Sequence, residues 1–354
     1  METGDKYLKG RGAQFNPANP YLQQAYVTEH PEGLDEPLLQ NSPTEFLIEH
    51  PKKIVNPVES PDLGLSYSMN PYQGCEHGCI YCYARNTHHY WGYGAGLDFE
   101  RKIIIKENAP EVLAQQLEHP KWEVRPIMLA GNTDCYQPIE QETRITRRLL
   151  EVLLQYRHPV SIITKNALIL RDLDILRKLA SLDLVHVNIS VTTLDEKLRQ
   201  KLEPRTATAN RRLEVIRQLA ATGLPVNVML APIIPGLTDH EIPEIMKQAA
   251  LNGASSAAYN IVRLNGAIGD IFRDWINKTY PDRASKVLKQ IAACHGGTLN
   301  DSTFGRRMTG EGQFAEAIGN LFRLSRNKYF KDKQMRPYRY DLFCRRRGEQ
   351  LSLF

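Results

Sequence analysis

A chain of 354 residues, 42% of them hydrophobic and 24% charged, buries one large core or two modest ones, which excludes a small disulfide-stapled protein. A formal net charge of +5 and a sequence pI of about 8.8 suit an anionic partner without singling out nucleic acid. No apolar run approaches the roughly 20 residues that span a bilayer, so no membrane segment is expected; free thiols without an export signal imply a reducing cytoplasm.

Residues 1–64 read as an extended N-terminal segment. The stretch from Met1 to about Ser60 is rich in Pro, Asn, Glu and Gly and has no sustained period, and KGRGAQFNPANPY (Lys9 to Tyr21) is loop with turns. It either trails free or drapes over the folded body, with Arg11, Phe15, Tyr21 and Tyr26 as its anchors. At Leu65 the rhythm changes: LSYSMNPY leads into NPYQGCEHGCIYCYAR, Asn70 to Arg85. This window holds three of the six cysteines, Cys75, Cys79 and Cys82, in the pattern CxxxCxxC, while Cys135, Cys294 and Cys344 are scattered. Thiolates are soft ligands that suit zinc and iron–sulfur clusters. A closed structural zinc site takes four protein ligands and an ordinary cubane takes four thiolates. Three thiolates around a four-iron cluster leave one iron open to an external ligand, an arrangement for chemistry. The competing reading is zinc, completed by His77 or by a distant residue. Gly74 and Gly78 let the loop wrap closely, since glycine accepts backbone angles that other residues resist.

Beyond the loop a short helix is expected over Tyr83–Tyr90, the strand KIIIK over Lys102–Lys106, a helix over Pro110–Leu117 and the strand PIMLAG over Pro126–Gly131. The segment Thr143–Tyr156 carries Ile145, Leu149, Leu150, Leu153 and Leu154 at helical period. VSIIT (Val160–Thr164), a helix over Arg171–Ala180 and LVHVNISV (Leu184–Val191) follow. Then come a helix near Thr208–Thr222 ending at Gly223, VNVMLAPI (Val226–Ile233), a helix over Asp239–Leu251 and SAAYNIV (Ser256–Val262). Alternating strands and helices imply parallel pairing through right-handed crossovers. About six βα units give an α/β fold over residues 65–265, too few for a full eight-unit barrel; in barrels of this type functional groups sit at the C-terminal strand ends. Residues 266–354 form a helical and basic C-terminal extension. Phe272–Cys294 reads as two helices broken at Tyr280-Pro281, Gly296–Gly312 as a glycine-rich loop and Gln313–Tyr329 as a helix. Asn327–Gly348 is a basic, aromatic tail.

Cys75-x-x-x-Cys79-x-Tyr81-Cys82, with its aromatic before the last cysteine, resembles the signature of the radical SAM superfamily. The resemblance implies a (β/α)6 TIM-like partial barrel, a [4Fe–4S] cluster on the three cysteines, and S-adenosylmethionine chelated to the open iron with Tyr81 near its adenine. Gly131-Asn132-Thr133-Asp134 stands where the superfamily binds the amino group of S-adenosylmethionine. TDCYQPIE, Thr133 to Glu140, resembles an element of the branch related to spore photoproduct lyase, the DNA repair photolyase-like proteins. There Cys135 replaces the usual proline; it reads as a hydrogen-atom donor or, in preference, as a buried inert thiol. In related lyases the residue matching Lys165 meets the cofactor carboxylate, and Ser190 resembles the residue that hydrogen-bonds the ribose or methionyl group; Asn188, two residues away, faces the same side. LEPRTAT (Leu202 to Thr208) offers Arg205 as a clamp for a carboxylate or phosphate, and APIIPGLTD (Ala231 to Asp239) resembles the element that passes the adenine.

The activity this implies is reductive cleavage of S-adenosylmethionine to a 5′-deoxyadenosyl radical that takes a hydrogen atom from a substrate, a nucleic-acid lesion by analogy with the branch, with RNA or a peptide as alternatives. An electron donor such as flavodoxin or ferredoxin is the implied partner. The rival class is a non-catalytic zinc or iron–sulfur module that contacts nucleic acid. In the tail, Arg336, Arg339, Arg345, Arg346 and Arg347 alternate with Tyr338, Tyr340 and Phe343, a pattern that suits a nucleic-acid strand or aromatics that pin the tail to the barrel.

Overall fold

The computed structural model describes residues 8–21, 43–64 and 66–345. Tyr26, Leu65, Arg346 and Arg347 of the sequence reading lie outside them. The strands are β1 (Glu45–Glu49), β2 (Val55–Pro57), β3 (Tyr67–Met69), β4 (Tyr72–Gln73), β5 (Lys102–Lys106), β6 (Ile127–Leu129), β7 (Val160–Thr164), β8 (Val185–Ser190), β9 (Val226–Ile233) and β10 (Ser256–Ile261). The α-helices are α1 (Leu97–Arg101), α2 (Ala109–Glu118), α3 (Glu140–Thr143), α4 (Ile145–Gln155), α5 (Leu173–Ser181), α6 (Glu196–Leu202), α7 (Ala209–Ala221), α8 (Ile242–Leu251), α9 (Ile268–Thr279), α10 (Pro281–Ala293) and α11 (Gly312–Tyr329).

The main sheet runs in the order β10-β9-β8-β7-β6-β3-β2. All its pairings are parallel except β2 on β3, so six parallel strands carry the barrel. The branched, largely apolar runs of β7 to β9 are mostly buried on both faces, as strands covered by crossover helices are. Their core is continuous with Leu149, Leu153, Leu176, Ile216 and Met246 from α4, α5, α7 and α8. Thr208 caps α7 by accepting from Arg211 N at 3.2 Å, and Gly223 leaves that helix at φ 82°.

One expected barrel strand belongs elsewhere. KIIIK forms β5, which lies in a separate three-stranded sheet, parallel to β1 and antiparallel to β4. Its register with β1 sets Glu45 opposite Lys102 and Glu49 opposite Lys106, with apolar pairs between. A branched run flanked by lysines carries no label for its sheet; the acidic ends of β1 select it. Lys106 N also donates to Pro71 O at 3.0 Å, and Cys75 N donates to Phe99 O at 2.9 Å, so this small sheet and α1 prop the cysteine loop from outside.

The N-terminal segment drapes over the body. Gly12 N and Ala13 N donate to the Glu100 carboxylate at 3.1 and 2.8 Å, and Arg11 Nη1 donates to Glu100 O at 2.9 Å. Arg85, three residues after Cys82, completes the buried knot: its Nη2 meets Glu100 Oε1 at 2.6 Å and its Nε donates to Cys79 O at 3.0 Å. At Gly12 a β-carbon would stand 1.8 Å from the carbonyl oxygen of Gly78.

The tail crosses the opposite end of the barrel, over the N-terminal ends of β7 and β8. The Tyr338 ring stacks 3.9 Å from His186, its hydroxyl donates to Val160 O at 3.3 Å, and Arg339 N donates to Asp183 O at 3.1 Å. Phe343 meets His158 edge-on at 5.6 Å. Tyr338 and Phe343 therefore pin the tail, at the end of the barrel away from the cysteines. Among the described residues no helix is long and apolar enough to cross a membrane.

Candidate active site

The cysteine loop leaves β3 and β4 at the C-terminal end of the barrel. Gly74 and Gly78 adopt φ of 80° and 67° there, and a β-carbon at Gly74 would meet Lys102 O at 2.7 Å. Cys75, Cys79 and Cys82 are free thiols. Cys82 packs against the side chains that surround Cys75 and against those that surround Cys79. Burial pushes Cys79 up to about 12 and raises Cys75 and Cys82 as well, so the three thiolates accumulate only beside a cation.

His77 is not free to complete a zinc site. Its Nδ1 lies 3.3 Å from Asp134 Oδ2 and its Nε2 lies 3.2 Å from Asn166 Nδ2. The asparagine amide donates to Nε2, which leaves the ring proton on Nδ1, facing the carboxylate. Among the described residues no group of three or more His, Cys, Asp or Glu is gathered around a single ion position. The donors present are three thiols on one loop, the set that binds three irons of a cubane and leaves the fourth open.

Tyr81 points inward between the second and third cysteines. Its hydroxyl donates to Glu203 Oε1 and lies 3.3 Å from Thr192 Oγ1. Glu203 is fully buried, pairs with Arg212, and accepts from Thr192 Oγ1 at 2.7 Å. Although burial opposes its charge, Arg212 and Lys165 bring it down to about 2. Lys165 ends β7 with its Nζ 5.9 Å from the Tyr81 ring centroid. Ser190 ends β8; its Oγ is buried with no hydrogen-bond partner, while its carbonyl accepts from Arg212 Nη1 at 3.0 Å. The Ser190 hydroxyl, buried and unpaired on the strand next to the one that Lys165 follows, is what a polar ligand would satisfy.

The GNTD turn begins at Ala130, whose φ of 71° lies where a β-carbon is disfavoured. Asn70 Oδ1 accepts from Asn132 N at 2.8 Å and from Thr133 N at 3.3 Å, and Thr133 Oγ1 donates to Tyr72 O at 2.6 Å. Gly131 O accepts from the Tyr83 hydroxyl. Asp134 accepts from Thr164 Oγ1 at 2.8 Å, Lys165 N at 2.8 Å and Tyr136 N at 2.9 Å. With His77 these donors hold its carboxyl at about 2 despite burial. Its oxygens are thus engaged with the chain, and it ties the cysteine loop to β7. Arg205 Nη1 lies 3.8 Å from Glu76 Oε1, and its backbone N donates to His77 O at 3.3 Å. Cys135 is set apart, fully buried in the main core with its carbonyl accepting from Thr146 Oγ1 at 2.6 Å. Sequence reasoning missed Glu203, Arg212 and the Arg85–Glu100 pair; the signal was charged residues inside otherwise apolar motifs.

The barrel resembles a solved structure of a spore photoproduct lyase double mutant with bound AdoMet and dinucleoside spore photoproduct, with a TM-score of 0.58, 15% identity, and coverage of 80% of this chain and 79% of that one. The sequence profile of the Radical SAM superfamily matches residues 69–249, more than half of the chain. The protein belongs to that superfamily, whose members use a [4Fe–4S] cluster and S-adenosylmethionine. An uncharacterized protein of Mycobacterium tuberculosis is 33% identical over 226 residues, 63% of this chain and 66% of its own length, just under two thirds. Another, from Methanocaldococcus jannaschii, is 31% identical over 201 residues, 57% of this chain and 72% of that one.

Proposed function

We propose that the protein is a radical SAM enzyme that cleaves S-adenosylmethionine reductively and acts on a nucleic-acid substrate in a lyase-like reaction. The observation that carries this reading is the placement, at the C-terminal mouth of the barrel, of three free thiols on one loop together with Ser190, whose Oγ is buried without a partner at the end of β8. Residues 65–265 form the catalytic unit, flanked by an N-terminal segment, 1–64, and a C-terminal extension, 266–354.

Cys75, Cys79 and Cys82 hold the cluster. When bound, the cluster would supply one electron to the sulfonium of S-adenosylmethionine, and the resulting carbon–sulfur cleavage, with methionine as leaving group, would supply the chemistry that abstracts a hydrogen atom. Lys165 gives the cofactor carboxylate a cation, Ser190 a hydroxyl partner, and Tyr81, fixed through Glu203, a wall. Gly131, Asn132 and Thr133 shape the turn for the amino group, while Asp134 positions it. Arg205 lies at the rim of the site, beside Glu76. The buried Arg85–Glu100 knot closes the loop's outer side and keeps water from the thiols. Cys135, embedded in the core, packs and takes no part. The electron comes from a flavodoxin- or ferredoxin-like donor in a reducing cytoplasm.

The test is 5′-deoxyadenosine release by the reconstituted protein, with irradiated DNA, RNA and peptide pools compared. Stimulation by nucleic acid supports the substrate class; stimulation by peptide alone overturns it.

A further inference from the structure

Where β10 runs out, the chain is held from two sides. Ile261 N donates to Met308 O at 2.8 Å and Leu264 N to Leu299 O at 2.9 Å, both in the segment of the glycine-rich loop. Asn86 Nδ2, in the 3-10 helix that follows Cys82, donates to Asn265 O at 2.9 Å. Between these anchors stands Arg263, half-buried at the same end of the barrel as the cysteines. Its guanidinium makes one long contact, Nη1 to Asp301 O at 3.4 Å. The nearby acids are engaged elsewhere: Asp301 Oδ2 with Arg306 Nε at 2.6 Å, and Asp62 Oδ2 with Arg307 Nε at 2.5 Å. Asp62 and Asp301 act on this guanidinium only through space while burial and Arg307 oppose its charge, so an anion brought into direct contact would add pairing that it lacks. On either side of it, Asn260 Oδ1 and Asn265 Oδ1 are buried and unpartnered. Two exposed rings complete the region: Tyr83, 52% exposed, and Phe304, 57% exposed with the Arg307 guanidinium 4.5 Å from its ring centroid.

We propose that this cluster is a subsite for a single strand of nucleic acid, with Arg263 taking a backbone phosphate and Phe304 and Tyr83 receiving bases. It deepens the substrate assignment above and rests on it for the chemistry, while the contact itself stands on this geometry. Guanidinium meets phosphate through paired, charge-assisted hydrogen bonds, and rings accept any base by stacking.

The experiment is anisotropy of labelled single-stranded DNA and RNA oligonucleotides with the full chain carrying its reconstituted cluster. Arg263→Ala is expected to lose about tenfold in affinity and to lower the salt slope by about one phosphate contact. Arg263→Lys should retain part of the affinity, and Phe304→Ala should weaken binding. Arg345→Ala, at the far end of the barrel, should bind as wild type. Should Arg263→Ala fail to fold, the lysine and Phe304 variants carry the comparison. Wild-type affinity in both Arg263→Lys and Phe304→Ala, no oligonucleotide binding at all, or equal competition by polyglutamate overturns the subsite. Cleavage of S-adenosylmethionine by the same wild-type preparation, measured separately, reports on the radical reading, so the two failures are distinguishable.

Discussion

Tyr81 shows how one side chain in the cysteine loop is fixed by charges hidden behind it. Its hydroxyl meets Glu203, and Glu203 stays ionised in the core because Arg212 neutralises it. The thiols on either side lie near cations too, Lys165 and Arg212 for Cys79 and Arg85 and Lys165 for Cys82, but burial outweighs them and both thiols stay raised. Cys75→Ala, Cys79→Ala or Cys82→Ala should each abolish the cluster's absorbance and iron, while Cys294→Ala and Cys344→Ala should keep both. Equal iron loss in Cys294→Ala would overturn the ligand set. Lys165 reaches into the same space without a carboxylate of its own. Lys165→Ala should weaken S-adenosylmethionine binding by about 1.5–3 kcal/mol, the scale of a hydrogen bond to a charged group, with cluster absorbance unchanged; titration calorimetry reads the difference. CxxxCxYC made three thiols and Tyr81 legible as a set, because they sit at fixed spacing on one loop. The partners that orient them come from distant segments whose spacing records nothing.

Among the elements, the N-terminal segment and the tail hold opposite ends of the barrel. Gly12 lies against the Gly78 carbonyl, where a β-carbon has no room. Gly12→Val should therefore lift the segment, costing about 2–4 kcal/mol in urea unfolding and lowering iron retention. Unchanged stability and iron would mean that the segment is only a cover. At the other end, His158 is buried between Trp122 and Phe343. Trp122 Nε1 can only donate, so His158 Nε2 accepts at 3.1 Å and its proton sits on Nδ1, 3.0 Å from Pro159 O. Burial lowers His158 from 6.5 to about 4. The unfolded chain takes up this proton below pH 6.5 while the native state refuses it, so stability falls as pH drops from 6.5 towards 4. At pH 5 the loss is about 2 kcal/mol, and His88, also lowered to about 4, adds to it in the same direction. Urea unfolding at pH 7 and pH 5 followed by tryptophan emission should show it, with a shallower slope in His158→Gln. The helices with strong periodicity, α4, α5 and α8, were legible within a few residues. β1 and the true sheet of β5 were not, because the choice of partner strand is set by register with a distant segment. α6, seven residues long, was too short to show a period.

For the molecule as a whole, six parallel strands open one end towards the cysteine loop and close the other under the tail. The βα rhythm was legible, although KIIIK, read with that series, lies in the small sheet while β3 stands in the main one, and the polarity followed from the cysteines lying directly after the first parallel strand. The tail's placement was not, since basic and aromatic residues alternate in the same way whether they bind a strand or pin a terminus. In the proposed function, what unites the barrel, the three thiols on one loop and the unpartnered Ser190 hydroxyl is a cluster that opens to S-adenosylmethionine. The most direct test is anaerobic reconstitution of the full chain with iron and sulfide, followed by reduction in the presence of S-adenosylmethionine. Brown protein with about four irons per chain and 5′-deoxyadenosine as product are expected. Colourless protein that retains zinc and leaves S-adenosylmethionine intact would contradict this reading.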